Sequence, residues 1–336
     1  WLVTGGAGFI GSHIVDALIA DGLSVRVFDN FSSGNRANLE PAVAAARRKG
    51  VTLEILEGDL RSDADVEAAV RGTEVVFHEA ALGSVERSVQ DPMTSHEVNI
   101  TGTLRLLVAA RAAGVRRVLF AGSSSVYGDL DALPKSESMP TRPISPYGLT
   151  KLAGEQYMRI FARIYGLETV VLRYYNVFGP RQDPNSIYSA VIPIFIDRLT
   201  KGVPPVVNGD GETSRDFTYV ENVVRANLLA ARAPAERVSG QIINVACGSR
   251  HSLNAMLATL RRLTGRDVAA EHRAERVGDV RHSQADIALA RELLGFEPVV
   301  SFDEGLARTV EWFNSSRVAA DGVAAVDDVR ALGALI

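Results

Sequence analysis

Cysteine is almost missing from this chain: Cys247 is the only one in 336 residues. Intrachain disulfides and zinc centres built on thiolates are therefore excluded. The six histidines stand at no ligand spacing, so no metal is expected. No apolar run reaches the length of a membrane span, and with the first strand-like run beginning at once, no signal segment is expected. A reducing, cytoplasmic location is the expectation. Excess charge of one sign is lacking too. A formal net charge of -4 gives no footprint for nucleic acid or an anionic membrane. Internal repeats and low-complexity linkers are absent. What is there is ordinary globular composition, long enough for one large or two modest domains with real cores.

Apolar runs at 2–4, 25–28, 53–56, 75–78, 118–121 and 169–172 alternate with helical patterns at 12–20, 63–71, 98–113 and 146–165. Such alternation demands parallel crossovers, and hence an α/β fold with a doubly wound parallel sheet of the Rossmann type. After Tyr175 proline and glycine become frequent, as in Gly179-Pro180, Asp183-Pro184 and Pro204-Pro205. This stretch reads as a smaller α+β substrate-binding lobe over the carboxyl ends of the strands, where open sheets bind ligands. A helical pattern at 222–231 and a strand-like run at 241–246 are able to return to the main sheet. The expected division is residues 1–174 plus 219–247 for the dinucleotide domain and 175–218 plus 248–314 for the substrate lobe. Residues 315–336 form a tail without an assigned role.

The opening, Leu2-Val3-Thr4-Gly5-Gly6-Ala7-Gly8-Phe9-Ile10-Gly11, reads as strand, tight turn and helix. Free backbone N–H groups and the helix dipole make such a turn an anion site. Gly5, Gly8 and Gly11 allow the turn, the approach of a pyrophosphate and close helix–strand packing. Asp29 ends the next apolar run, 18 residues beyond Gly11, at the offset of a group that binds the adenosine ribose. A carboxylate there repels the 2′-phosphate of NADP, which argues for NAD.

Tyr147 and Lys151 stand four residues apart near the start of a helix, so both occupy one face. An ammonium beside a phenol favours the phenolate, and a lowered tyrosine pKa is expected, as a general base near neutral pH requires. Upstream, Ser123-Ser124-Ser125 follows a strand and puts hydroxyls at the carboxyl edge of the sheet.

Further segments appear in order: Asp29-Asn30, Gly58-Asp59-Leu60, His78-Glu79-Ala80-Ala81, Asn99-Ile100-Thr101-Gly102, Ser123 to Gly128, Ser145-Pro146-Tyr147-Gly148 with Lys151, and Arg173-Tyr174-Tyr175-Asn176. Together with the glycine turn they resemble the extended short-chain dehydrogenases/reductases, in particular the UDP-hexose 4-epimerases and their UDP-N-acetylglucosamine branch. The resemblance covers residues 2–314. It implies tightly held NAD, a UDP-sugar substrate and a catalytic set of Ser123, Tyr147 and Lys151. Tyr147 would take the proton of the sugar 4-hydroxyl while hydride leaves C4, and the 4-keto sugar would turn over before hydride returns. For the cofactor the resemblance implies Gly5, Gly8, Phe9, Ile10, Gly11, Asp29, Asn30, Ser33 and Gly34 at one end. Asp59, Leu60, Ala80, Ala81, Leu82, Asn99 and Tyr175 follow, with Tyr147 and Lys151 at the nicotinamide. For the substrate it implies Gly83, Ser84, Ser124, Ser125, Asn176 and Gln182 beside the catalytic set. Ala190, Val191, Val206 and Asn208 would hold the uracil side, Arg215 and Arg276 the diphosphate, and Asp279 the ribose.

Two features refine the substrate. The segments 82–88 and 181–185 resemble the branch that prefers N-acetylhexosamines, and Ser283 stands where relatives restricted to unacetylated sugars carry a tyrosine. UDP-GlcNAc/UDP-GalNAc interconversion is expected, with activity on UDP-Glc/UDP-Gal open. Dehydratases and decarboxylases of this scaffold follow the serine with acids, whereas Ser124 and Ser125 stand here. A UDP-uronate 4-epimerase stays open through Arg87 or Arg181, and a non-catalytic dinucleotide sensor is the reading from another class. Apolar faces at Leu104/Leu107/Val108 and Leu152/Ile160/Phe161/Ile164 suggest, by the same resemblance, a homodimer through a four-helix bundle.

Overall fold

The computed structural model describes residues 1–183, 191–275 and 280–315. Seven strands form one sheet: β1 (Leu2–Thr4), β2 (Val25–Asp29), β3 (Leu53–Glu57), β4 (Val75–His78), β5 (Arg117–Ser123), β6 (Glu168–Tyr174) and β7 (Gln241–Val245). Their order is β7-β6-β5-β4-β1-β2-β3, and each neighbouring pair is parallel. The central strands β1, β4 and β5 are buried along their whole length, as strands covered on both faces must be.

Helices supply the cover. On one face lie α1 (Phe9–Ala20), α2 (Glu40–Lys49) and α6 (Val220–Arg232); on the other lie α3 (Asp63–Val70), α4 (Gly102–Ala112) and α5 (Pro146–Tyr165). The doubly wound parallel sheet expected from the sequence is therefore the fold. Chain order reverses beside β1, which opens a crevice between the ends of β1 and β4. Two local expectations shift. The first helix starts at Phe9 rather than at 12, because Gly8 caps it without a side chain. The helix expected over 98–113 is interrupted: a π-helical turn, Glu97–Thr101, precedes α4.

The smaller lobe rests on short pairings. Val206–Asn208 runs parallel to Glu271–Arg273, and Ser214–Arg215 runs antiparallel to His251–Ser252. Phe178 meets Phe217, Tyr219 and Phe302 edge-on at the join with the sheet, and Phe217 stacks on Phe302. Residues 302–315 are helical. Among the described residues no helix is long and apolar enough to cross a membrane, and no cluster of His, Cys, Asp and Glu could hold a metal ion.

Candidate active site

A cavity of about 670 Å³ follows the crevice at the carboxyl ends of the strands, large enough for an extended cofactor. Its floor is the first turn. Gly5 has φ +66°, and a Cβ there would stand 2.7 Å from the Ala80 nitrogen; one on Gly11 would meet the Gly5 oxygen at 2.2 Å. Only glycine lets the turn close, and the start of α1 is left with uncapped N–H groups for an anion.

Asp29, at the end of β2, accepts the N–H of Ala7 at 2.9 Å and of Phe31 at 2.8 Å. Burial raises its pKa, and those two bonds oppose the rise. Asn30 donates to Asp59 at 2.9 Å. Arg61 holds Asp59 with its Nε and Nη2 at 2.9 and 2.7 Å, which keeps that carboxyl well below its ordinary range. A glycine cradle, an N-terminal helix end and an acid at the ribose position fit a dinucleotide with unmodified ribose.

Behind this wall runs a buried hydrogen-bond chain. Thr103 donates to the Asn99 carbonyl at 2.7 Å, so its oxygen accepts from His78 Nε2 at 2.9 Å. His78 Nδ1 then accepts the Thr4 hydroxyl at 2.8 Å, and Thr4 accepts the Ala80 N–H at 3.2 Å. The sequence of donors assigns His78 as neutral, with its proton on Nε2. Burial agrees, pushing its pKa down to about 3. Asn99, in the π-helical turn, accepts the Leu82 N–H at 2.8 Å and donates to Thr150 at 3.1 Å. Thr150 donates to the Tyr147 carbonyl at 2.8 Å. One side chain thus ties the 80–82 wall to α5.

At the far end of the cavity Ser123, Tyr147 and Lys151 meet. Lys151 Nζ lies 5.9 Å from the Tyr147 ring centre and donates to the Ala121 carbonyl at 2.9 Å. Burial pushes the lysine down to about 8, opposed by Glu79 and Glu155. The expected lowering of the Tyr147 pKa needs correction: it is raised. Burial is the main cause, the Glu79 charge adds to it, and a hydrogen bond with Ser123 opposes it. The ammonium is drawn to the Ala121 carbonyl instead of the phenol.

The remaining expected site residues divide between the cavity wall and its surroundings. Tyr175 is fully buried against Tyr127, and it is Tyr174 that lines the cavity; successive residues at a strand end face opposite ways. Asn99 and Gly34 stand behind the wall, Gly34 close under the Asp29 carboxylate. Ser84 caps the short helix Val85–Gln90, and Gln182 closes its own loop on Val177 and Gly179. Val191, Val206, Asn208, Arg215 and Ser283 belong to the lobe rather than to the cavity wall. There the Ser283 N–H donates to the Ser214 carbonyl at 3.0 Å, which seats it beside Arg215. Ala190, Arg276, Asp279 and the tail 316–336 lie outside the described residues. Arg181 pairs with Asp16 at 2.6 Å, so of the two arginines considered for a uronate it is Arg87 that lines the cavity. Cys247 is half-buried, with its thiol pushed up to about 12 by burial and the Asp216 charge.

Sequence reasoning passed over Glu79, which lines the cavity, and the Arg173–Glu155 pair behind it. Glu155 was within reach: it continues the 147/151 spacing by another four residues.

A doubly wound sheet, a glycine cradle and a Ser–Tyr–Lys group at one cavity define a dinucleotide-dependent enzyme of the short-chain dehydrogenase/reductase class. The chain belongs to the NAD dependent epimerase/dehydratase family, which it matches over residues 1–246, and its cofactor is NAD. Within the family it stands with the UDP-hexose 4-epimerases. It is 42% identical over 315 residues to a UDP-glucose 4-epimerase of Mycolicibacterium smegmatis, covering 94% of this chain and 98% of that one. The UDP-glucose 4-epimerase of Thermotoga maritima, solved with UDP-glucose, is 41% identical with a TM-score of 0.87 over 94% of this chain and 98% of the other. The UDP-N-acetylglucosamine 4-epimerase of Methanobrevibacter ruminantium, in complex with UDP-N-acetylmuramic acid, is 42% identical with a TM-score of 0.87 and the same coverage.

Proposed function

We propose that this enzyme interconverts the 4-epimers of a UDP-hexose, and that UDP-GlcNAc and UDP-GalNAc are its preferred pair. The observation that carries the 4-epimerase reading is the meeting of Ser123, Tyr147 and Lys151 at the inner end of the cavity. Residues 1–174 with 219–247 hold the cofactor, and 175–218 with 248–314 hold the UDP-sugar. Gly5, Gly8 and Gly11 receive the pyrophosphate and Asp29 the adenosine ribose.

When bound, NAD supplies a hydride acceptor that later gives the hydride back, and a positive ring charge that favours the Tyr147 phenolate. Tyr147 takes the proton of the sugar 4-hydroxyl and returns it after the sugar has turned. Ser123, at the same end of the cavity, holds the sugar hydroxyl in line. Lys151, held by the Ala121 carbonyl, keeps an ammonium 5.9 Å from the Tyr147 ring, where its charge favours the phenolate once the proton moves. The UDP anchors the molecule through Arg215, so that binding energy far from C4 orients a sugar free to rotate.

Ser283 supports the N-acetyl preference: it is small, buried, and seated beside Arg215. A homodimer is also proposed. Val108 on α4 and Leu149, Ile160 and Ile164 on α5 are exposed, and two such helix pairs would bury them, whereas Leu107 and Phe161 already face the core. The test is product analysis with a panel of UDP-sugars and no added cofactor. UDP-GalNAc formed from UDP-GlcNAc supports the reading, while turnover of UDP-uronates alone overturns it.

A further inference from the structure

Glu79 follows β4 directly and shares the cavity wall with Tyr147, Lys151 and Tyr174, yet the chemistry above leaves it unused. Its Oε1 accepts the Tyr174 hydroxyl at 2.9 Å. The sense of that bond is fixed from behind. Asn227 Nδ2 donates to the Tyr174 oxygen at 2.7 Å and to the Val223 carbonyl at 3.0 Å, so the phenolic hydrogen is directed at the carboxylate. Glu79 at the end of β4 and Tyr174 at the end of β6 thus join across β5, whose Ala121 carbonyl carries the Lys151 ammonium.

We propose that Glu79 is a positioning residue for proton transfer: oriented by Tyr174, its carboxylate keeps Lys151 charged and so sets the pH range over which Tyr147 exchanges a proton. The inference rests on the assignment of Tyr147 as the base.

The groups around Glu79 come from several elements. From α5 come Tyr147, Lys151 and, one turn on, Glu155; from β6 come Tyr174 and Arg173; from β4 comes the neutral His78; from α6 comes the uncharged Asn227. Glu155 also favours the ammonium, but Arg173 neutralises it through a two-pronged pair. Glu79 has no arginine paired with it among the described residues, so its carboxylate, once ionised, acts on Lys151 without a neutralising partner of its own. The coupling runs both ways. The Glu79 charge raises both the lysine and the Tyr147 phenol, while Lys151 and the Tyr174 bond oppose the burial that pushes Glu79 up to about 7.

The experiment is the pH profile of kcat/KM for Glu79→Gln, Tyr174→Phe and the double variant. It is paired with ultraviolet titration of the Tyr147 phenol in the protein as purified, with Tyr147→Phe as blank. Loss of the negative charge should move both limbs of the Glu79→Gln profile to lower pH by roughly half to one unit. The phenol titration should move the same way without substrate. Tyr174→Phe should shift both in the same direction and by less, the double variant should go no further than Glu79→Gln, and Glu79→Asp should recover part of the shift. A lower kcat with unmoved limbs and an unmoved phenol would overturn the proposal, as would shifts that add in the double variant. Turnover surviving in Tyr147→Phe would instead reject the base itself, with the phenol titration still reporting on Glu79.

Discussion

Arg173 reaches both carboxylate oxygens of Glu155, Nε to Oε1 at 2.9 Å and Nη2 to Oε2 at 2.7 Å, with the two side chains 3% and 0% exposed. Its remaining Nη1 donates to the Tyr127 hydroxyl at 2.8 Å. The pair rivets α5 to β6 one turn beyond Lys151, and so fixes how far the catalytic helix stands from the sheet. Removing one partner leaves a buried charge alone. Glu155→Ala or Arg173→Met should cost about 3–5 kcal/mol in urea unfolding. The joint replacement Glu155→Met with Arg173→Leu should cost less than the sum of the two.

Tyr147→Phe deletes a hydroxyl that the fold does not need, because the backbone bonds at 147 run to Ser88 and Thr150. We expect kcat to fall by roughly 10²–10⁴ while KM and the unfolding midpoint stay put. Lys151→Met should lose a comparable factor and also the bond to the Ala121 carbonyl. Steady-state kinetics beside thermal unfolding separates the two cases.

The Asp29 carboxylate both closes the loop on Ala7 and Phe31 and faces the cavity. Asp29→Asn keeps its shape and removes its charge. Equilibrium binding to nucleotide-free protein should show NAD weakened by about tenfold, and its margin over NADP narrowed.

The architecture was legible because it lives in periodicity: strands and helices alternate, and glycines mark the one turn no other residue can make. The site was legible where spacing alone fixes geometry, as for Tyr147 and Lys151 on one helix face. Sequence could not say which of two adjacent tyrosines faces the cavity, since that depends on where β6 stops pleating. Nor could it give the sign of the Tyr147 shift. Burial and the Glu79 charge come from other strands, and they outweigh the neighbour that the spacing reveals. Asn99 shows a third limit. A motif match implied a cofactor contact, but the π-helical turn points the amide at the Leu82 backbone.

His78 predicts a pH effect on stability. Its folded pKa, about 3, lies below the ordinary value of 6.5. The unfolded chain therefore binds this proton throughout the interval in which the folded chain does not. The contribution is complete above pH 6.5 and is lost as pH falls toward 3. Glu79 and Asp216, both raised to about 7 by burial, bend the total curve the other way, so the test is a difference. Against wild type, His78→Gln should lose stability at pH 8 by about 1–2 kcal/mol. That gap should close as unfolding is followed down to about pH 5.

On the proposed reading, Ser283 sets the choice of sugar. Its neighbours are rigid: the Ser214 carbonyl accepts its N–H at 3.0 Å, and the Ser214 hydroxyl meets His282 Nδ1 at 2.8 Å. A side chain placed there cannot step aside with its backbone. Ser283→Tyr should therefore fill the space an acetamido group needs, at a packing cost of about 1–3 kcal/mol that thermal unfolding would register. The kcat/KM ratio of UDP-GlcNAc to UDP-Glc should fall by at least about tenfold, because an ill-fitting group is penalised in the transition state and a smaller sugar is not. A fall in both rates by the same factor would mean that the tyrosine had damaged the lobe, and a ratio that does not move would remove Ser283 as the determinant of the acetyl preference.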